Sequence, residues 1–189
     1  MHRLTQILGA ILALAFALAP VAPARGATAA PLTLDALVNG ANIVAYARVA
    51  GTHAFWDAAT GTIWTATQLA VLDSAKGQVA TSLVVAEPGG VVGDIGHLFP
   101  GVPRFTLNQE VVVFLYQGPG DRLRVLGLWQ GVYGVSVDSA TGDRMARPMV
   151  AQAEPVYQNG HAPASATSSA PAGTRRLSDL LFWIREKSR

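Results

Sequence analysis

Apolar residues in this chain come in short blocks separated by turn-forming residues. From Ile43 to Val49 a small apolar set (Ile43, Ala45, Ala47, Val49) alternates with a mixed set (Val44, Tyr46, Arg48), the period of two expected of a pleated strand. Ile63 to Leu72 is rich in β-branched residues, and Leu83 to Ala86 is short and apolar. Glu110 to Tyr116 contains the unbroken run Val111-Val112-Val113-Phe114-Leu115. That run is too short and too β-branched for a helix and predicts the central strand. Leu123 to Trp129, Val132 to Val137 and Arg144 to Val150 predict further strands, for six or seven in all.

The punctuation between these blocks is hairpin chemistry. Asp57-Ala58-Ala59-Thr60-Gly61 and Asp138-Ser139-Ala140-Thr141-Gly142 are near copies, each opened by Asp and closed by a Gly suited to a positive φ. One carboxylate per turn is far short of the six to eight oxygens that calcium takes, so both read as turns. Lys76-Gly77 and Gly118-Pro119-Gly120-Asp121 mark two more. Helical signals stand only at the ends. Thr33 caps a short helix over Asp35 to Val38, with Gly40 as its left-handed terminator, and Ser178 caps a final helix whose stripe is Leu177, Leu180, Leu181 and Ile184.

The first residues change the picture of where the chain works. His2 and Arg3 precede the apolar run Ile7 to Ala19, which closes at Pro20 and small residues in signal-peptide order. The run is 13 residues, short of the roughly 20 a spanning helix needs. Cleavage after Ala24 or after Ala29 fits the small-x-small rule, and the second is preferred. The organisation expected is a signal peptide over 1–29, a β domain over 30–150, an Ala/Pro/Ser-rich connector over 151–175 and a helix over 176–189. The mature chain is expected in the periplasm or medium, with no membrane span.

The 14 Lys/Arg and 12 Asp/Glu give a formal charge of +2, and loss of Arg3 and Arg25 with the leader brings it to zero. No basic stripe for nucleic acid remains, so no nucleic-acid partner is expected. With no cysteine, the domain relies on packing rather than disulfides, and thiol catalysis and thiolate metal sites are excluded. His53, His97 and His161 show no metal-ligand spacing, and no Gly-x-Ser-x-Gly or Ser-x-x-Lys motif occurs. No metal, cofactor or catalytic set is expected. Gly89-Gly90-Val91-Val92-Gly93-Asp94-Ile95-Gly96 lacks the Lys-Ser/Thr of a phosphate loop and comes after Pro88, so it reads as a shaped loop.

A group of uncharacterised exported bacterial proteins shares the succession Ala41-Asn42-Ile43-Val44 with Arg48-Val49, Thr62-Ile63-Trp64-Thr65, Lys76-Gly77, Pro88-Gly89-Gly90, Pro100-Gly101-Val102-Pro103-Arg104-Phe105, Glu110 to Leu115, and Val125-Leu126-Gly127 before Gln130-Gly131. The chain resembles that group over about two thirds of the mature sequence, departing at Asn108-Gln109-Glu110, where the group has Gly-Glu. The resemblance implies no activity. More distantly, the order of helix, strands and Lys-Gly turn looks like the OB-type barrel of netrin-like modules and metalloprotease inhibitors. The N-terminal cysteine those inhibitors present to zinc has no counterpart here.

Short antiparallel strands without alternating helices predict a mainly β fold, an antiparallel OB-like barrel with a helix at each end. The segment from Pro88 to Phe105 is 18 residues with five glycines and three prolines, longer than ordinary connections. It is expected to be ordered, anchored by Val91, Val92, Ile95, Leu98 and Phe99. It either offers Gly89, Gly90, Gly93, His97 and Arg104 to a ligand or merely plugs the barrel mouth. The functional expectation is an exported non-enzymatic binding module, with a protein partner such as a protease. The alternatives are a hydrolase assembled in the fold around His97, Glu87, Asp94 and Arg104, and a structural envelope protein.

Overall fold

A computed structural model describes residues 30–149 and 173–189. The leader over 1–29, His161, most of the 151–175 connector and the last residue of the Arg144 to Val150 strand lie outside the described residues. The elements are α1 (Leu34–Gly40), β1 (Ile43–Asp57), β2 (Thr62–Lys76), β3 (Ser82–Pro88), β4 (Gly90–Val92), β5 (Ile95–His97), β6 (Glu110–Gln117), β7 (Leu123–Val125), β8 (Val132–Val137), β9 (Arg144–Pro148), β10 (Arg175–Arg176) and α2 (Leu177–Lys187). The fold is mainly β. Eight strands form one sheet in the order β1-β2-β3-β7-β6-β8-β9-β10, with β1 also paired to β6, while β4 and β5 form a separate two-stranded sheet. All pairings are antiparallel except β3 with β7, which meet in parallel through Val85 and Leu123 alone.

Strand β6 is central, as its composition predicts. It pairs with β1, β7 and β8, and both its faces are buried. Val111, Val113 and Leu115 join Ala45, Ala47, Val49, Leu69, Val85, Val125 and Val132 on the inner face. Val112 and Phe114 face a second cluster with Val44, Tyr46, Tyr133, Ala146 and the buried sides of both helices. Strands with two buried faces carry continuous apolar text rather than alternation.

Both helices cover that second cluster. Thr33 caps α1, its Oγ1 accepting from the N–H of Ala36 at 3.1 Å, and Lys76 Nζ donates to the Val38 carbonyl at 2.6 Å near the helix's end. Gly40 is the last helical residue and is not in the left-handed region; a Cβ there would meet Leu126 at 2.9 Å, so close packing accounts for this glycine. Helix α2 buries Leu177, Leu180, Leu181 and Ile184, the stripe predicted. Arg176, not Ser178, occupies its cap position, and the Ser178 hydroxyl donates to Asp179 instead. Arg185 Nη2 to Asp73 at 2.6 Å and Lys187 to Asp35 at 3.0 Å tie the helix to the sheet and to α1.

Three predicted strands change length for identifiable reasons. Strands β1 and β2 each run 15 residues, because three register shifts in β1 let it bend away from β6 and continue with β2 alone. Leu123 to Trp129 is not one strand. It stops at Val125, and Gly127 (φ +69) and Leu128 (φ +60) turn the chain into a 3-10 helix over Leu128–Gly131. The Asp57 and Asp138 turns form as expected: Gly61 and Gly142 have positive φ, the Asp57 carboxylate accepts the Ala59 N–H and the Thr60 hydroxyl, and the Asp138 carboxylate accepts the N–H groups of Ala140 and Thr141.

Candidate functional site

The inner face of the long β1–β2 hairpin changes character beyond β6. On β2, Ile63, Thr65, Thr67 and Leu69 come at every second position and share one face. Leu69 stands opposite Val49 in the inner cluster, Thr67 opposite Thr52 and Val85, and Thr65 opposite Ala54 and Glu87. Polar residues thus continue a face that is apolar one turn of the pleat away.

Residues 88–105 cover this face, and not as a structureless loop. Strands β4 and β5 pair Gly90 with His97, Val91 with Gly96 and Val92 with Ile95. Four contacts lock the base of this small hairpin. The Gly89 N–H donates to the Ile63 carbonyl at 2.7 Å, the Thr65 hydroxyl donates to the Gly89 carbonyl at 2.6 Å, and His97 Nδ1 accepts the Ile63 N–H at 3.2 Å while lying 2.7 Å from Thr62 Oγ1. Gly90 sits at φ +134 with its missing Cβ aimed at Thr65 Oγ1, 2.5 Å away. Only glycine lets the backbone approach this closely.

The anchoring expected of the loop's apolar residues is reversed. Val91, Val92, Ile95, Leu98 and Phe99 are 65%, 36%, 55%, 50% and 39% exposed. Trp56, itself half-exposed, packs its ring 5.7 Å from that of His97 and extends the same apolar surface. Anchoring comes instead from the hairpin base, from buried Pro103, and from Phe105, which packs on the inner cluster. The Trp129 N–H bond to the Gly101 carbonyl, 3.0 Å, adds a further tie.

Between the hairpin and Phe105 lies a cleft of about 230 Å³, bounded by Thr52, Thr65, Thr67, Glu87, Gly89, Gly90, Phe99, Val102, Pro103, Arg104 and Phe105 among others. Glu87 is 4% exposed. Its Oε1 accepts the Val125 N–H at 2.6 Å and its Oε2 a bond from Arg124 Nη2 at 2.8 Å. Burial nevertheless raises its pKa above the ordinary carboxylate value, outweighing both bonds. Arg124 and Arg122 lie over the Trp64 ring, 5.4 and 4.5 Å from its centroid, and Arg122 pairs with Asp57 at 2.8 Å.

The five residues singled out by the sequence therefore divide by role. Gly89 and Gly90 line the cleft, but their φ angles and contacts serve the hairpin's approach to β2. Gly93 is at the hairpin tip in open space at φ +59. His97 holds the hairpin down, and Arg104 is exposed at the cleft. Of the alternative catalytic group, Glu87 and Arg104 share the cleft, whereas His97 and Asp94 do not line it. His53 is exposed and stacks on Phe55. Among the described residues no group of three or more His, Cys, Asp or Glu could hold a metal.

Sequence reasoning missed Trp56 and the threonines. Their signal was present in outline: two threonines interrupt the apolar face between Ile63 and Leu69, the kind of local inconsistency that marks functional positions. No helix among the described residues is long and apolar enough to cross a membrane. Comparison with protein-family models, with curated proteins and with solved structures finds no match.

Proposed function

We propose that this chain is an exported, non-enzymatic binding module on an OB-like barrel, and that its β4–β5 hairpin inserts into an apolar recess on another exported protein. The barrel reading draws on the strand path, which leads from β1 through β2, β3, β7 and β6 back to β1. The export reading draws on the leader-like order of residues 1–29. The observation that carries the function is the exposure of Val91, Val92 and Ile95 on a hairpin whose base is locked to β2, continued by exposed Leu98 just after it. Exposed apolar side chains gathered in one place mark interaction surfaces. A loop held in its bound shape loses little conformational freedom on docking, so most of its apolar contact energy goes into affinity.

The test is a photo-crosslinking amino acid at position 91, with a control at position 139 in the β8–β9 turn, in the exporting cell. The expected result is one dominant adduct with an exported protein at position 91 and none at 139. Adding Ile95→Asp removes it without lowering Tm. Adducts to lipid or to a second copy of this chain, or equal labelling from both positions, overturn the reading.

A further inference from the structure

We infer that the cleft between Glu87 and Arg104 is a binding site for a neutral six-membered-ring sugar, a function separate from docking by the hairpin. The size sets the first limit: about 230 Å³ is below the roughly 300–1,000 Å³ of pockets for drug-sized ligands and suits one ring. The polar groups set the second. Thr52 and Thr67 have no hydrogen-bond partner for their hydroxyls among the described residues, and the Thr65 hydroxyl, having donated to Gly89, retains its acceptor side. Glu87 keeps unused lone pairs on a carboxylate whose desolvation its two existing bonds do not offset. Arg104 offers an exposed guanidinium with no acid paired to it among the described residues.

Charge selects among ligands that match these groups. An ammonium at the floor meets a carboxylate already paired with Arg124, with Arg104 as a second cation beside it. An anion gains Arg104 but faces Glu87. A polyol imports no charge, and each hydroxyl both donates and accepts. It gives hydrogens to Glu87 and takes them from Arg104 and the threonines. Phe99, Phe105 and Pro103 supply an apolar wall for the C–H face of a ring. Thr65 also holds the hairpin base, whereas the Thr67 hydroxyl, buried and without a partner among the described residues, has a polar ligand as its chemical use.

The experiment is saturation-transfer NMR on the exported, processed chain with glucose, galactose, mannose and N-acetylglucosamine, each followed by a titration. At least one sugar is expected to receive saturation on its ring protons. Thr67→Val and Arg104→Ala should each weaken it about tenfold, the scale of one lost hydrogen bond, without lowering Tm. Because Arg104 is exposed, its variant keeps the test valid even if Thr67→Val perturbs folding. Ile95→Asp, which abolishes the hairpin adduct, should leave sugar binding unchanged, so either conclusion can fail alone. No transfer to any of the four sugars, or wild-type affinity in both variants, overturns the inference. A response to acetate or glycine in place of the sugars overturns it equally.

Discussion

The Glu87 carboxylate supplies Val125 with the hydrogen-bond acceptor that a neighbouring strand would ordinarily provide. Its Oε1 takes the Val125 N–H at 2.6 Å, just past the one residue pair, Val85 with Leu123, through which β3 and β7 meet. Its other oxygen binds Arg124, whose Nε is buried without a partner among the described residues. The end of β3 is thus held to β7 by a side chain where the backbone ladder stops.

Removing that side chain should be costly. Glu87→Ala leaves a buried N–H and a mostly buried guanidinium unpaired, and breaking a buried pair from one side typically costs about 3–5 kcal/mol. Glu87→Gln keeps an acceptor for Val125 and should cost less. Urea unfolding followed by tryptophan fluorescence checks both. An Ala variant within about 0.5 kcal/mol of the parent, as a surface change would be, removes Glu87 from any structural role.

Two carboxylates should shift stability with pH in opposite directions. Burial raises Glu87 above the ordinary 4.5, so the folded state holds this proton more tightly than the unfolded one. Its contribution is full below 4.5 and is lost as pH rises through the folded value. Glu110 is lowered, first by the Tyr46 hydroxyl and then by Arg48. Its contribution is present above 4.5 and is lost as pH falls through the folded value. Glu110→Gln should flatten the acid limb of Tm against pH, while Glu87→Gln should improve relative to the parent from pH 4 to pH 7. The same slope in both variants refutes these assignments.

Tyr46 reports on the same contact. Burial, followed by its hydrogen bond to Glu110, pushes its pKa up to about 12. Burial also raises Tyr133, so tyrosinate absorbance should show two late-titrating tyrosines among the described residues of the parent, and in Glu110→Gln only the Tyr46 step should move toward 10.0. An unchanged titration means the hydrogen bond is not formed in solution.

The hairpin depends on Gly90. A side chain at φ +134 and 2.5 Å from Thr65 Oγ1 brings both backbone strain of about 1–3 kcal/mol and a collision. Gly90→Ala should therefore speed hydrogen exchange at the amides of β4 and β5, whereas Gly93→Asn at the open tip should not. Equal protection in both variants means the hairpin does not rest on β2.

Val113 is fully buried at the centre of the inner cluster, where a carboxylate has no partner and aspartate costs several kcal/mol. Val113→Asp should yield no soluble, cooperatively melting protein. A sharp melting transition would move the core elsewhere.

Local chemistry made much of this fold legible. Val111 to Leu115 could only be a doubly buried strand, Thr33 had to cap the short helix that begins beside it, and each Asp-to-Gly turn carried its own hydrogen bonds. The stripe of α2 was readable because helical periodicity states which side chains travel together. These features depend on residues within a few positions of one another, whose geometry the backbone itself dictates.

Tertiary structure decided what long-range neighbours control. The 88–105 segment's apolar residues looked like anchors because apolar groups are usually buried, but burial depends on what lies opposite. The base of the hairpin is held by Ile63, Thr62 and Thr65, more than 20 residues away in sequence, which leaves Val91, Ile95 and Leu98 in solvent. In the sequence Glu87 stood only in an alternative hydrolase group with His97, Asp94 and Arg104, and its tie to Val125 existed only once β7 lay beside it. Likewise, Thr52, Thr65 and Thr67 became one polar surface only once strand register aligned them. Composition, the leader-like start and strand content are sums over the chain and need no partner. A site is a coincidence in space between distant residues, and only the folded register produces it.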